Sequence, residues 1–207
     1  MSPFVPWPDD HTLVLASASP RRADLLRVAG IPFEIRTAPE AEAGVAARVG
    51  RDDPAYYAVT LAEAKAEAVA ATLPGRLVLG ADTVVVLDGE ILEKPLDAAD
   101  AARMLGDLQG RRHTVVTAIA LLGAANGPLT AAEHTDVEFL PLDSATIERY
   151  VATGEPMDKA GAYGIQGYGA MMVRRVEGCY FNVMGLPLAR LAGLLREALG
   201  ATTPNGR

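Results

Sequence analysis

The chain has one cysteine, one tryptophan and three histidines in 207 residues. Cys179 alone excludes a disulfide framework and a cysteine metal cluster. His11, His113 and His134 are scattered, with no pair at helical ligand spacing, so each reads as an ordinary surface or core histidine. Positive charge is in deficit: 19 Lys and Arg stand against 26 Asp and Glu, a net −7, which argues against a nucleic-acid polymer or an acidic membrane as partner. A small anion remains admissible, because local basic groups overrule net charge. No apolar run reaches membrane-spanning length, and the opening MSPFVPWPDD has neither the basic nor the apolar region of a signal peptide. The expectation is a soluble, cytoplasmic, single domain over residues 1–207, with a Pro-rich irregular leader at 1–11 and a frayed tail at 201–207.

Half of the residues are hydrophobic and 22% are charged, an ordinary globular balance. The stretch LVLGADTVVVLDGEILEKP, Leu77 to Pro95, organises the rest. Two apolar β runs flank Asp88-Gly89, the strongest short-range hairpin signal, since a type I′ turn needs positive φ at both central residues. Pairing outward from that turn sets Leu87 opposite Glu90, Val85 opposite Leu92 and Thr83 opposite Lys94. Asp82 then points to the face opposite Thr83. A carboxylate in a buried strand requires a cation or hydrogen-bond donors. Asp82 is either that case or a strand-end acid reaching solvent.

Upstream, Leu13–Ala16 reads as a short buried strand, followed by Ser17-Ala18-Ser19-Pro20-Arg21-Arg22 and a helix through Ala29 stopped by Gly30. Ser19 suits the N-cap and Pro20 the first helical position. Cations in a first helical turn oppose the dipole, so Arg21 and Arg22 are either solvated or placed to hold an anion such as a polyphosphate, with Ser17 and Ser19 assisting. Ile31–Ile35 reads as a second strand. Asp53-Pro54 opens a helix to about Ala71, with an inner stripe of Tyr57, Leu61, Ala64, Ala68 and Thr72. Lys65 lies near that stripe and either snorkels or enters a polar cleft.

Downstream, Asp97 caps a helix to Gln109 with Met104, Leu105 and Leu108 inward, and Gly110 stops it. Val115–Leu122 and Thr135–Leu142 read as antiparallel partners, and Ser144–Ala152 as a helix ended by Gly154. The stretch GEPMDKAGAYGIQG, residues 154–167, places glycines at close intervals; it is either a set of turns or a loop letting a ligand approach the backbone, with Gln166 able to read a base edge. Val173–Val176 and Tyr180–Val183 suggest a second hairpin, and Pro187–Leu199 a closing helix on Leu188, Leu191 and Leu195. Helices and strands alternate, giving a mixed α/β class.

SASPRRADLL, GADTVVVLDGEILEKP, GEPMDKAGAYGIQG and NVMGLP, in this order, resemble the Maf family of nucleoside triphosphate pyrophosphatases over about residues 13–199. The resemblance implies a two-lobed α/β fold, a mixed sheet with flanking helices around a central cleft, related in architecture to inosine triphosphatases. It implies hydrolysis of a nucleoside triphosphate between the α- and β-phosphates with a divalent cation, Mg²⁺ or Mn²⁺. It also implies a homodimer and a role in nucleotide-pool cleansing or in arresting septation.

By the same resemblance Asp82 is the catalytic proton acceptor or metal ligand. Ser17, Arg21 and Arg22 hold phosphate, and Lys65 and Lys94 are the family's two lysines. Arg21, Thr83 and Gln166 match the trio associated with the dTTP- and UTP-cleaving branch. The family's paired acid after the second strand falls on Ala41-Glu42; Glu42 keeps one metal-binding member, and Glu40 is its neighbouring substitute. The competing expectations are a pyrophosphatase for 7-methyl-GTP or damaged purine nucleotides, and a non-catalytic nucleotide-binding regulator of division.

Overall fold

A computed structural model describes residues 2–8 and 11–200, without the side chains of Glu40, Glu42 and Ala43. The expected tail at 201–207 lies outside the described residues. Within them, seven strands form one sheet in the order β2-β1-β3-β5-β6-β7, with β4 paired to β3. The strands are β1 Leu13–Leu15, β2 Phe33–Ile35, β3 Val78–Leu87, β4 Glu90–Leu92, β5 Arg112–Leu122, β6 Leu129–Phe139 and β7 Val173–Glu177. β2, β1 and β3 run parallel, while each neighbouring pair along β3-β5-β6-β7 is antiparallel. The helices are α1 Pro20–Val28, α2 Glu40–Ala46, α3 Pro54–Ala70, α4 Ala98–Leu108, α5 Ser144–Ala152, α6 Tyr180–Val183 and α7 Leu188–Ala198. No helix among the described residues is long and apolar enough to cross a membrane.

The central hairpin forms in the expected register, with Val85 opposite Leu92 and Leu87 opposite Glu90. Asp88 and Gly89 both take positive φ, 52° and 86°, as a type I′ turn requires. The ladder stops at Leu92, so Lys94 is not paired with Thr83 in the sheet.

Along one edge, β3 meets β1 only at Val78 and Leu79, and β4 only from Val85 to Leu87. Residues 80–84 lie between these two partners, so the sheet splits there. Strict alternation sends Val78, Asp82 and Val84 toward α3 and Leu79, Ala81 and Thr83 to the opposite face. The apolar members follow suit: Val78 and Val84 pack with Tyr57, Leu61 and Ala62, while Leu79 and Ala81 pack with Leu25, Leu26 and Leu191. A third cluster gathers Leu87 and Leu92 with Met104, Leu105 and Leu108 on α4 and Ile147 on α5.

Several expectations are corrected. The segment Tyr180–Val183 is a helical turn, not the second strand of a hairpin; β7 pairs with β6 instead. The reason is Asn182, fully buried, whose amide donates to Val115 O and Thr135 Oγ1 and accepts from the Thr117 N–H. One polar residue reaching three points on two strands requires a turn at this place. The inner face of α3 is Tyr57, Ala58, Leu61, Ala62, Ala66 and Val69, whereas Ala64 and Ala68 are half-buried and Thr72 is exposed. Small alanines let α3 press close enough for the stripe to rotate toward them. Within the irregular leader, Val5 and Trp7 are buried against the α1–α7 core, where two apolar side chains leave solvent. β5 and β6 also begin earlier than the apolar pattern suggests, at Arg112 and Leu129.

Candidate active site

The split in the sheet opens into a cleft of about 820 Å³. Ser17, Arg21, Arg22, Lys65, Asp82, Thr83, Lys94 and Gln166 all line it. Eight of the nine expected site residues, drawn from points spread over 150 positions of chain, thus meet in one place. The ninth, Glu42, sits on α2, with its side chain outside the described residues.

Asp82 is 7% exposed, and Lys65 Nζ stands 2.6 Å from its Oδ1. Both side chains are largely out of solvent, which strengthens their attraction and makes loss of either partner costly. This answers both open questions: the strand carboxylate is buried beside a cation, and the lysine turns into the cleft. Asp82 and Lys65 come together because β3 residues of even number face α3.

On the other face, Arg22 is almost as buried, at 8% exposed. Its Nη1 donates to Ser17 Oγ (2.8 Å), its Nε to Gly185 O (2.8 Å) and its Nη2 to Thr83 Oγ1 (3.1 Å). The chain continues inward with a fixed polarity. Thr117 Oγ1 donates to Asn182 O at 2.8 Å, so its single proton is spent and Thr83 must be the donor across the 2.9 Å contact between the two hydroxyls. Thr83 therefore turns only acceptor capacity toward a ligand. Arg22 is the frame of this wall, tying α1 to β3 and to the α6–α7 turn.

Arg21 lies at the mouth, where its Nη1 donates to Asp158 across the cleft (3.2 Å). Lys159 Nζ donates to the same carboxylate (2.6 Å) and to Glu155 O (2.5 Å). Lys94 is exposed on the rim, as is Gln166 on the opposite loop. That loop, a run of 3₁₀ turns from Glu155 to Met172, is stapled by Glu155. Its carboxylate accepts from Tyr150 Oη, Tyr168 N and Gly169 N. Burial pushes the Glu155 carboxyl up, but these donors and Lys159 more than offset it and hold the group below its usual range. Gly167, with φ +72°, lies so close that an added Cβ would meet the Glu155 carboxylate at 2.5 Å.

Three cleft residues escape a sequence reading: Glu93, Asp158 and Lys159. Glu93 accepts from the hydroxyl of the fully buried Tyr57 (2.7 Å) and pairs with Arg51 (2.7 Å), whose guanidinium stacks over the Tyr57 ring. Burial raises its carboxyl, yet the hydrogen bonds from Tyr57 and Arg51 prevail and keep it ionised below its ordinary value. The adjacency of Glu93 to Lys94 is the one signal that points to it.

The match to the family model described as Maf-like protein covers residues 12–198. A dTTP/UTP pyrophosphatase of Symbiobacterium thermophilum is 51% identical over 185 residues, covering 89% of this chain and 93% of that protein. A second of that name, from Moorella thermoacetica, is 54% identical over 186 residues, covering 88% and 93%. Among solved structures, a HAM1 protein from Coxiella burnetii aligns over 90% of this chain and 99% of its own, at 17% identity and a TM-score of 0.49. The family match begins at β1, ends with α7, and so takes in the split sheet and every described wall of the cleft: this chain belongs to the Maf family.

Proposed function

We propose that this protein hydrolyses dTTP and UTP to the nucleoside monophosphate and pyrophosphate. The observation that carries the reading is the meeting of the Ser17–Arg22 turn and the Asp82 carboxylate in one cleft large enough for a nucleotide. In this reading Asp82 takes a proton from a water that attacks the α-phosphorus. A new phosphorus–oxygen bond forms to that water, the bond to the α,β-bridging oxygen breaks, and pyrophosphate leaves with the bonding pair. Lys65 fixes the Asp82 carboxylate, while Arg21, Arg22, Ser17 and Lys94 hold the triphosphate. Thr83 and Gln166 meet the base. The relatives named dTTP/UTP pyrophosphatase support the choice of pyrimidine.

The donor set suits a hard divalent cation. Mg²⁺ binds through one or two carboxylates together with substrate phosphates, and the Asp82 and Glu93 carboxylates both face the cleft. These two would hold it, with Glu42 joined to them by the family resemblance. When bound, Mg²⁺ or Mn²⁺ neutralises charge on the departing pyrophosphate. The same reading places the reaction in the cytoplasm, in a homodimer that clears the nucleotide pool or restrains septation.

A panel of dTTP, UTP, CTP, 7-methyl-GTP and ITP, assayed for pyrophosphate release with Mg²⁺ or Mn²⁺, tests the proposal. dTTP and UTP should be cleaved with the highest kcat/KM, and chelation should abolish turnover. Preference for 7-methyl-GTP or ITP would move the protein to another branch, and no cleavage of any triphosphate would make it a binding protein.

A further inference from the structure

Asp158 stands where an anionic ligand belongs. Its carboxylate bridges Arg21, from the start of α1, and Lys159, on the facing loop. Arg21 and Asp158 lie 137 residues apart in sequence, and all three residues line the cleft. A carboxylate held by an arginine and a lysine from opposite walls marks a preformed anion position, with the charge and donor geometry a phosphate oxygen uses.

We propose that Arg21 and Lys159 form the clamp for the pyrophosphoryl end of the nucleotide, and that Asp158 is its internal competitor. Asp158 occupies the clamp when the cleft holds no nucleotide, yields it to the β- and γ-phosphates, and reclaims it as pyrophosphate departs. The inference rests on the reaction proposed above and adds to it a phosphate-binding lysine and a product-release residue.

Three features support it. Lys159 is anchored rather than loose: its Nζ also donates to Glu155 O, and its side chain packs so tightly against Gly164 that an added Cβ there would lie 2.8 Å from Lys159 Cε. The lysine therefore keeps its position when Asp158 moves. Asp158 is the member open to solvent, with a side chain 58% exposed, against 27% for Arg21 and 14% for Lys159, so it can leave the clamp without unpacking the wall. Finally, burial raises the Asp158 carboxyl but Lys159 and Arg21 bring it below its usual range, so it competes as a full anion at neutral pH.

Calorimetric titration of pyrophosphate into the protein reads the clamp without turnover. Asp158→Asn keeps the size of the side chain and removes its charge, and should bind pyrophosphate about tenfold more tightly, the scale of one screened charge pair. Its product inhibition by pyrophosphate should tighten in parallel. Lys159→Met should weaken binding by about the same factor, with a thermal melt to establish that it is folded. Unchanged or weaker pyrophosphate binding by folded Asp158→Asn overturns the proposal, because a residue that merely positions Arg21 would give that result. The two readings fail separately. Tightened binding without hydrolysis of any triphosphate would leave the clamp and refute the reaction, whereas dTTP hydrolysis with unaltered binding in Asp158→Asn would do the reverse.

Discussion

His113 shows how a single residue sets a property of the whole fold without entering the chemistry. It is 3% exposed, packed edge-on against Phe139 and Tyr163, and its Nε2 meets Tyr163 Oη at 2.8 Å. Its Nδ1 is buried without a hydrogen-bond partner. An unpartnered acceptor costs less than an unpartnered donor when both ring nitrogens cannot be satisfied, so the neutral tautomer with the proton on Nε2 fits best. Burial drives its pKa from 6.5 down to about 4. The unfolded chain therefore binds a proton that the folded protein refuses, and stability present above pH 6.5 is lost as the pH falls toward 4. Between pH 7 and pH 5 the loss should be about 2 kcal/mol. Urea melts across that range test this: His113→Phe should flatten the dependence, and an equally steep slope in the variant would assign it elsewhere. The carboxyls of Glu93, Glu155 and Asp158, all held below their usual ranges, contribute only at lower pH.

Among the elements, the contact between β3 and α3 is the one that brings Lys65 to Asp82. Gly80 faces Ala62 and Ala66, and a Cβ there would stand 2.0 Å from the Ala62 carbonyl oxygen. The glycine is needed for close approach of helix to strand, and that approach delivers Lys65 to Asp82. Gly80→Ala should force the two apart, costing about 1–3 kcal/mol in denaturant unfolding. It should lower turnover as well, since a displacement of about 1 Å in a catalytic group costs up to about a hundredfold. Wild-type stability in that variant would mean the helix yields without strain.

The local devices here were legible in sequence. Asp88-Gly89 sets the hairpin register, Asp53-Pro54 starts α3, and Asp97 caps α4. What escaped depends on contacts distant along the chain. Tyr180–Val183 has strand-like residues, but Asn182 reaches to β5 and β6 and holds a helical turn. The inner stripe of α3 shifted because small alanines pack as well as large side chains when the neighbour is a glycine.

Across the whole molecule, one side of β3 is divided between the parallel β1 and the antiparallel β4, and its other side pairs antiparallel with β5 along its length. A ligand in that gap touches both faces at once, which is how Asp82 and Thr83, on opposite sides of one strand, line the same cleft. Sequence motifs held seven of the expected residues there, and the stripe of α3 with the family resemblance supplied Lys65. They did not reveal that Lys65 is the partner of Asp82, that Arg22 frames the wall, or that Asp158 and Lys159 face Arg21, because those pairings exist only once the chain has closed around the split.

In the proposed reaction Asp82 is the group that readies water beside a triphosphate held by arginines and lysines. Steady-state hydrolysis of dTTP by Asp82→Asn, on protein whose thermal melt shows it folded, tests this most directly. Turnover should fall at least about a hundredfold, the scale of losing a general base, with KM little changed. Turnover near that of the wild type would remove Asp82 from the reaction and the mechanism with it.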